Sequence, residues 1–305
     1  MDQHIAYIEK LVAKGGPAPS EYDAFDQWLD KVAAERRQGR LSDQNLEVLR
    51  SAFQEALSPR TLQGFSYTKP HGYTGDFEII DRMYTKHVTD EDHLENWDLY
   101  FQRQSAPVAV RNRKSYFLRL AASLQSTFSG KDALPVLNVA SGPARDVFEY
   151  FACPPTNGAL CFDCIDNDPD AISYARELCA PYSDRIDFHN ANALRFNTDR
   201  NYQLIWSAGL FDYLGDKVFR FLLRNLLGML REDGELVVGN FAPNNPTKNY
   251  MELIGDWHLY YRDASDLKRL AKNCGVAAED LRIGREPENV NLFLHVKRGD
   301  DFLPL

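Results

Sequence analysis

The sequences VLNVASGPARD (136–146) and CIDNDPD (164–170) decide the fold of this chain. Each begins with apolar residues of the kind found in a buried β-strand and ends in a polar turn that leads into a helical pattern. The first turn carries Ser141 and Gly142, small residues that let the backbone approach a ligand, and the second strand ends at the carboxylate of Asp166. Two such units predict a parallel sheet with a ligand site at the carboxyl ends of its strands.

The same alternation of strand and helix patterns continues along the second half of the chain. Short runs rich in Val, Ile and Leu alternate with helical segments, which is typical of a parallel sheet covered on both faces. The predicted strands are 134–140, 160–166, 185–191, 202–208, 235–241, 280–286 and 291–297. Only a few residues join the last two strands, whereas parallel neighbours need a crossover of about a dozen or more. The final strand is therefore predicted to be antiparallel.

Apolar residues before residue 60 recur at helical spacing. Ser20 and Ser42 stand where N-caps are expected, and Gly15 and Gly39 where helices end. These signals predict a helical cap rather than a repeat array.

Farther along, a long helix is predicted at 107–128, followed by an SGKD turn at 129–132. We therefore expect two domains. Residues 1–106 form a helical region that supplies part of a substrate pocket, and residues 107–305 form an α/β domain.

Composition restricts the class of protein. A formal charge of -9 argues against a nucleic-acid partner, and no uncharged apolar run reaches the ~20 residues of a membrane helix. The N-terminus lacks a signal-like apolar core, and five cysteines are too few for a disulfide scaffold. Cys161 and Cys164 have the spacing of half a zinc site, but no second half follows. We expect a cytoplasmic protein without a metal that acts on a small molecule, with a homodimer left open.

Five segments in sequence resemble the class I S-adenosylmethionine-dependent methyltransferases. They are VLNVASGPA, DNDPDAISYAR, ANALRF, YQLIWSAGLFDYL and DGELVVGNF, and the resemblance spans roughly residues 107 to 298. It implies a Rossmann-like, seven-stranded, mostly parallel sheet with an antiparallel last strand, and S-adenosyl-L-methionine as cofactor. The sequence departs from the family pattern at four positions. Family members usually carry an acidic residue where Asn138 stands, glycines in place of Ala140 and Ala144, and Asp in place of Asn192.

The resemblance also implies a set of cofactor-binding residues. Asp166 accepts hydrogen bonds from the ribose hydroxyls, and Asn192 bonds the adenine edge. Tyr73 lies in a loop that could fold back over the cofactor, although Asp76 in the same loop could simply cap its own helix. The expected residues are Tyr73, Arg113, Ala140, Ser141, Gly142, Asp166, Asn167, Asn192, Ala193, Ser207, Ala208 and Gly209.

A dinucleotide-dependent oxidoreductase is the main competing interpretation. Such enzymes also combine a glycine-containing turn with a ribose carboxylate. The turn here lacks the G-x-G-x-x-G spacing that admits a pyrophosphate, and a reversed strand at the sheet edge is characteristic of methyltransferases. Methyl transfer is therefore preferred.

A narrower resemblance concerns KPHGYTGDFEIID (69–81), PVAVRNRKSYF (107–117) and GNFAPNNPTKNYMELIGDWHLYYRD (239–263). These segments are similar to a bacterial methyltransferase family that includes enzymes forming methyl esters of 3-hydroxy fatty acids. This resemblance implies a small acceptor and favours a carboxylate. The aromatic and polar cluster after the fifth strand is expected to line the acceptor pocket. The predicted catalytic residues are His258, Tyr261 and Arg262, and the predicted substrate-binding residues are Arg111, Phe241, Trp257 and Tyr260.

The chemistry of the acceptor decides which residues matter. A carboxylate is already ionised at neutral pH and needs no base, so an arginine such as Arg111, Arg113 or Arg262 would hold it. An amine or hydroxyl would need a base, for which His258, His71 and Asp212 are candidates. N- or O-methylation of another natural product or a peptide, and a non-catalytic regulatory module that binds the cofactor, remain alternatives.

Overall fold

The structure of the protein, a computed structural model, describes residues 1–127, 133–153 and 160–298. The predicted SGKD turn lies outside the described residues. The chain divides into a helical unit, Met1–Val108 with Asn245–His258, and a sheet unit, Ala109–Asn244 with Leu259–Leu305. Residues 245–258 therefore group with the N-terminal helices, whereas the predicted α/β domain of residues 107–305 includes them.

Regular elements follow one another along the described residues. The α-helices are α1 (Asp2–Val12), α2 (Tyr22–Arg37), α3 (Asp43–Ser51), α4 (Leu62–Thr68), α5 (Phe77–Thr85), α6 (Glu95–Arg103), α7 (Ser105–Thr127), α8 (Arg145–Ala152), α9 (Pro169–Leu178), α10 (Asp216–Gly228), α11 (Lys248–Leu253) and α12 (Ala264–Lys272). The strands are β1 (Leu134–Val139), β2 (Leu160–Asp166), β3 (Ile186–Asn190), β4 (Tyr202–Ser207), β5 (Leu230–Phe241), β6 (Leu281–Arg285) and β7 (Asn291–Lys297).

Helix starts in the N-terminal region depend on local capping. Ser42 accepts the backbone N–H of Asn45 and caps α3, as predicted. Ser20 does not cap α2, so that prediction was wrong. Pro19–Glu21 form a 3-10 turn in which the Glu21 carboxylate accepts the N–H of Ala18 at 3.1 Å, and α2 begins only at Tyr22.

An aromatic core holds the helical unit together. Phe25, Trp97 and Tyr100 are wholly buried, and the Phe25 ring lies 4.9 Å from that of Tyr100. Residues 245–258 join this unit through specific hydrogen bonds. The Tyr250 hydroxyl donates to Gln63 Oε1 at 2.8 Å, and Arg50 donates to the Leu253 carbonyl at 2.9 Å.

The sheet unit contains a seven-stranded sheet with the order β3-β2-β1-β4-β5-β7-β6. Strands β1 to β5 pair in parallel, and β7 lies between β5 and β6, antiparallel to both. This topology confirms the predicted Rossmann-like, mostly parallel sheet with an antiparallel last strand. Helices cover both of its faces, and β4 is buried along its whole length.

Strand β5 is longer than the sequence indicated. It begins at Leu230, which pairs with Tyr202 of β4, and the register of this pairing shifts before Leu204 pairs with Glu235. Gly234 makes this irregularity feasible, since a Cβ there would lie 2.8 Å from the Tyr202 carbonyl oxygen. The apolar pattern marked only the regular part of the strand.

Within the described ranges, no helix is long and apolar enough to cross a membrane.

Candidate functional site

The turn after β1 follows a glycine-like backbone path. Ala140, Gly142 and Ala144 have φ values of 53°, 50° and 49°. For an alanine this left-handed conformation costs about 1–2 kcal/mol. Although Ala140 and Ala144 stand where the resemblance implies glycines, the turn keeps the backbone conformation that glycines adopt readily.

Hydrogen bonds fasten this turn to the end of β2. The Ser141 N–H donates to the Ile165 carbonyl at 3.0 Å, and the Gly142 N–H donates to Asp166 Oδ2 at 2.9 Å. The other carboxylate oxygen of Asp166 accepts the N–H of Asp168 at 3.0 Å. Burial raises the pKa of Asp166, whereas these N–H bonds act in the opposite direction. The two residues on which the ligand prediction rests are in direct contact.

Ser141 adds a polar group whose hydrogen bonding is incomplete. Its side chain is 8% exposed, and its buried Oγ has no hydrogen-bond partner within the described part of the chain. A buried hydroxyl left in this way costs about 1–3 kcal/mol. A polar ligand at the turn would supply the missing partner, so the site fits a cofactor that carries charged and hydroxyl groups.

The segment after β3 is more exposed. Asn192 lies on the surface, and its Oδ1 accepts the Leu194 N–H at 2.9 Å, which leaves the amide nitrogen as the group that could reach an adenine edge. Ala193, Leu194 and Phe196 are half-buried against the core. Asn167 is exposed directly after Asp166.

Arg113 of α7 lies beside the end of β4, at the carboxyl edge of the sheet. Arg113 is 6% exposed, and its Nη1 donates to the Ala208 carbonyl at 3.2 Å. Gly209 leaves room for the guanidinium, because a Cβ there would lie 3.3 Å from Nη1. Ser207 is wholly buried, and its hydroxyl donates to the Val139 carbonyl at 3.1 Å, so it ties β4 to β1.

A buried carboxylate that is not among the predicted site residues, Asp146, lies in the first turn of α8. Asn138 Nδ2 lies 3.3 Å and 3.5 Å from the two carboxylate oxygens of Asp146, and the Trp206 side chain also bonds this carboxylate. Burial raises the pKa of Asp146 to about 6, although the nearby charge of Arg113 lowers it. The signal was the acidic residue directly after the glycine turn, at the start of α8.

Asp212 lies beyond β4 in a second polar cluster. It is 2% exposed, accepts the Phe241 N–H at 2.6 Å, and accepts the Tyr260 N–H on its backbone carbonyl at 2.7 Å. Burial raises its pKa to about 7, and the charges of Arg113 and Arg262 oppose this shift. Asp212 therefore joins β4, β5 and the chain near Tyr260.

The contacts of Arg262 do not fit the acceptor-binding role that the sequence suggested. It is 3% exposed, and its nitrogen atoms donate to Phe211, Leu214, Asn240 and Asp216. These bonds use all five N–H groups of the guanidinium. The geometry argues against an acceptor clamp at Arg262, because no donor is left for a ligand.

The other predicted acceptor residues are divided between the two units. In the sheet unit, Phe241 is buried and the Tyr260 side chain is 56% exposed. Tyr261 follows directly in the same unit, and Arg111 lies half-buried on α7.

Trp257 and His258 belong to the helical unit. Trp257 is buried, whereas the exposed His258 ring has its Nε2 3.3 Å from Asp256 Oδ1. Tyr73 is 38% exposed, and Asp76 accepts the N–H groups of Glu78 and Ile79 as the cap of α5.

Metal-ligand clusters of three or more His, Cys, Asp or Glu are absent from the described residues.

Residues 136–234 match a family model described as a methyltransferase domain. This region contains the turn after β1, Asp146, Asp166 and the end of β4. The match of this region supports methyl transfer, with S-adenosylmethionine as the cofactor.

Solved structures share the fold at low sequence identity. A structure titled as a possible exported protein from Bordetella parapertussis is 19% identical, with a TM-score of 0.61, and the match covers 98% of this chain and 96% of that one. Magnesium protoporphyrin IX methyltransferase from Synechocystis PCC 6803, crystallised with S-adenosylhomocysteine, is 10% identical, with a TM-score of 0.53 and coverage of 77% and 98%. No curated protein sequence matches the chain.

Proposed function

We propose that this protein transfers the methyl group of S-adenosylmethionine to a small molecule, with a carboxylate as the favoured acceptor. The observation that carries methyl transfer is the direct contact between Gly142 and Asp166 at the carboxyl edge of the sheet, inside the matched methyltransferase domain. This contact joins a backbone turn suited to close approach of a ligand to a carboxylate suited to ribose hydroxyls.

The bound cofactor supplies an electrophilic methyl group on a positively charged sulfur. The protein then has to hold the acceptor in line at about 3–3.5 Å and keep water out. Aromatic side chains suit both tasks, and their faces attract cations. Tyr260 and Phe241 are the predicted residues of the sheet unit for this purpose, and Trp257 is the predicted residue of the helical unit.

The carboxylate acceptor is supported by Arg111 and by the resemblance to enzymes that form 3-hydroxy fatty acid methyl esters. Arg111 is half-buried, and burial lowers its pKa. The group nevertheless stays protonated near neutral pH, because the reference pKa of arginine is above 12. A cation partly withdrawn from water attracts an anionic acceptor more strongly than one on the surface.

An amine or hydroxyl acceptor is the second candidate. It is supported by the contact between His258 and Asp256, because a carboxylate beside an imidazole orients the ring. A His258 base would act on such an acceptor, whereas a carboxylate would not need it. A peptide acceptor and a regulatory module without turnover are the remaining alternatives.

Residues 1–106 are proposed to supply part of the acceptor pocket, supported by the narrower family resemblance that segment 69–81 carries. We also propose a cytoplasmic location, supported by five cysteines that are all free, because disulfides form mainly in oxidising compartments.

Substitution of Asp166 tests the cofactor site. Asp166→Asn removes the charge that ribose hydroxyls bind, so we expect the affinity for S-adenosylhomocysteine to fall about ten-fold or more by calorimetry. Asp187→Asn, on the exposed side of β3, is the matched control and should leave affinity unchanged. Full retention of affinity in Asp166→Asn would reject the ribose assignment.

An acceptor panel tests the reaction. Fatty acids with and without a 3-hydroxyl group, together with matched amines and alcohols, are incubated with the cofactor, and S-adenosylhomocysteine and methylated products are measured by mass spectrometry. A methyl ester is hydrolysed by alkali, whereas N-methyl and ether products are not.

Two variants separate the acceptor classes. With a carboxylate acceptor, Arg111→Gln should raise KM for the acid, Arg119→Gln on the exposed side of α7 should not, and His258→Ala should keep kcat. Loss of kcat in His258→Ala would favour an amine or hydroxyl. Binding without turnover across the panel would favour a regulatory module.

A further inference from the structure

Helices α10 and α12 carry an excess of positive charge in an acidic protein. The whole chain has a formal charge of -9, yet each of these helices holds three basic residues and one acid. Both acids are already paired, Asp216 with Arg262 at 2.9 Å and Asp266 with Arg269 at 2.9 Å. The other cations of the two helices form no ion pair within the described residues. They are Lys217, Arg220, Arg224, Lys268 and Lys272, and we call them the basic face.

The basic face is one surface rather than two. Arg224 Nη2 donates to the Asn273 carbonyl, directly after α12, at 2.8 Å. Arg269 Nη2 of α12 lies 3.7 Å from Asp216 Oδ2 at the start of α10. The two helices therefore lie side by side, and four of the five cations are exposed while Arg220 is half-buried.

Two apolar side chains stand among these cations. Phe221 is 53% exposed and Val218 is 37% exposed. Residues three and four apart are neighbours on a helix, so Phe221 lies between Lys217 and Arg224 and beside Val218. Phenylalanine and aliphatic side chains flanked by Lys and Arg are typical of helices that lie at a membrane surface.

We propose that the basic face docks on an anionic lipid surface, with its cations against the headgroup phosphates and with Phe221 and Val218 in the apolar layer beneath them. Each Lys or Arg near such a surface strengthens binding about five-fold. The net negative charge of the rest of the chain opposes docking only weakly, because charges are screened beyond about 8 Å at physiological ionic strength. A nucleic acid also presents phosphates, but it has no apolar layer for Val218.

The basic face borders a residue of the proposed acceptor site. A Cβ at Gly215, the residue before α10, would lie 3.9 Å from the Tyr260 ring, and this ring is exposed. Docking would therefore bring Tyr260 close to the lipid, from which an amphiphilic acid could be taken as acceptor. This consequence rests on the proposed function, whereas the docking itself does not.

Co-sedimentation with vesicles tests the docking without any methyl transfer. The full-length protein is mixed with vesicles of phosphatidylcholine alone, or of phosphatidylcholine and phosphatidylglycerol in equal parts. We expect binding to the anionic vesicles only, and we expect it to weaken as salt is added.

A charge-matched pair of variants assigns the binding to this face. Lys217→Gln/Arg224→Gln should weaken binding to anionic vesicles about 25-fold, from about five-fold for each charge. Arg119→Gln/Arg176→Gln changes the net charge equally, at exposed positions of α7 and α9 on the opposite face of the sheet. This control should bind nearly as the wild type does, and thermal unfolding checks that both variants are folded.

Phe221→Ser separates the apolar contribution from the charges. We expect it to weaken binding about five-fold, since only part of the phenylalanine ring is left to bury. This weakening should persist at high salt, where the effect of Lys217→Gln/Arg224→Gln fades.

Kinetics test the supply of the acceptor. With a long-chain fatty acid carried in the anionic vesicles, Lys217→Gln/Arg224→Gln should raise the apparent KM and leave kcat unchanged. With a short-chain acid dissolved in water, the same variant should change neither value.

Each outcome decides a separate point. Wild-type protein that does not bind anionic vesicles, or equal binding by the two double variants, would overturn the docking. A dimer in analytical ultracentrifugation that Lys217→Gln/Arg224→Gln alone abolishes, without vesicle binding, would assign the face to a second copy of the chain instead. Vesicle binding through the basic face without methylation of any acid would support the docking and count against the proposed function.

Discussion

The turn after β1 and the chain around Arg262 both carry residues that the sequence assigned to ligand binding, yet their polar groups are used differently. At the turn, the Ser141 hydroxyl is buried without a partner in the described structure. At Arg262, every guanidinium N–H donates to a protein oxygen. The first region has hydrogen-bonding capacity left for a ligand, whereas the second uses its capacity to hold the fold together.

This difference has a physical origin. A ligand site built from a turn depends on backbone conformation, and small residues between a strand and a helix mark that conformation in the sequence. A long cationic side chain can reach many carbonyl groups, and their positions depend on distant parts of the chain. The Phe211 carbonyl that Arg262 bonds is 51 residues away.

The largest expected effect is at Arg262. Arg262→Met would leave buried carbonyl groups of Phe211 and Leu214 without a donor, so we expect a loss of about 3 kcal/mol in the free energy of unfolding. Chemical denaturation followed by circular dichroism measures it. Arg269→Met, which removes an exposed arginine that also pairs with Asp216, should change stability little.

An Arg262→Met protein with wild-type stability but a higher KM for the acceptor would reverse the comparison. It would show that Arg262 acts on the ligand after all and that its internal bonds contribute little.

Much of the sheet could be predicted because each buried strand is a short, continuous apolar run. Strands β2 and β7 have the predicted limits, and the antiparallel direction of β7 followed from the shortness of its connection to β6. The irregular start of β5 could not be predicted, since residues 231–233 are charged and lie in the register shift between the pairs Tyr202–Leu230 and Leu204–Glu235.

The candidate site was predictable to a similar extent. Gly142 and Asp166 were found because each stands at the end of an apolar run. Asp146 was missed because an acidic residue near a helix N-terminus usually only stabilises that helix. Its burial beside Arg113 depends on α7, which precedes it by many residues and is absent from the local pattern.

The pH dependence of the free energy of unfolding tests the region around Arg262, through the buried carboxyl group of Asp212. Burial raises the pKa of Asp212 from 3.8 to about 7 in the folded protein, so the folded state holds a proton that the unfolded state releases. The stabilisation from this proton is present below pH 4 and is lost as the pH rises through about 7. In the Asp212→Asn variant the side chain at this position cannot titrate, but its Oδ1 can still accept the Phe241 N–H.

We therefore compare wild type with Asp212→Asn at pH 5 and pH 8. The stability of the wild type relative to the variant should fall by on the order of 2 kcal/mol between these values, measured by denaturation. Asp187→Asn should follow the wild type at both pH values. A constant difference between wild type and Asp212→Asn would mean that Arg113 and Arg262 keep Asp212 ionised throughout, and that this cluster is a set of permanent ion pairs.

The smallest effect belongs to the first region and concerns its strain. Ala140 has a φ of 53° and is only half-buried, so Ala140→Gly removes a conformational cost with little loss of packing. Glycine also gives the unfolded chain more freedom, which offsets part of the gain. We expect a net increase in the free energy of unfolding of about 0.5 kcal/mol.

Ala122→Gly, at an exposed position inside α7, should instead destabilise by about 1 kcal/mol. If both substitutions destabilised the protein equally, the left-handed conformation at Ala140 would carry no strain, and the alanines of this turn would be ordinary loop residues rather than substitutes for glycine.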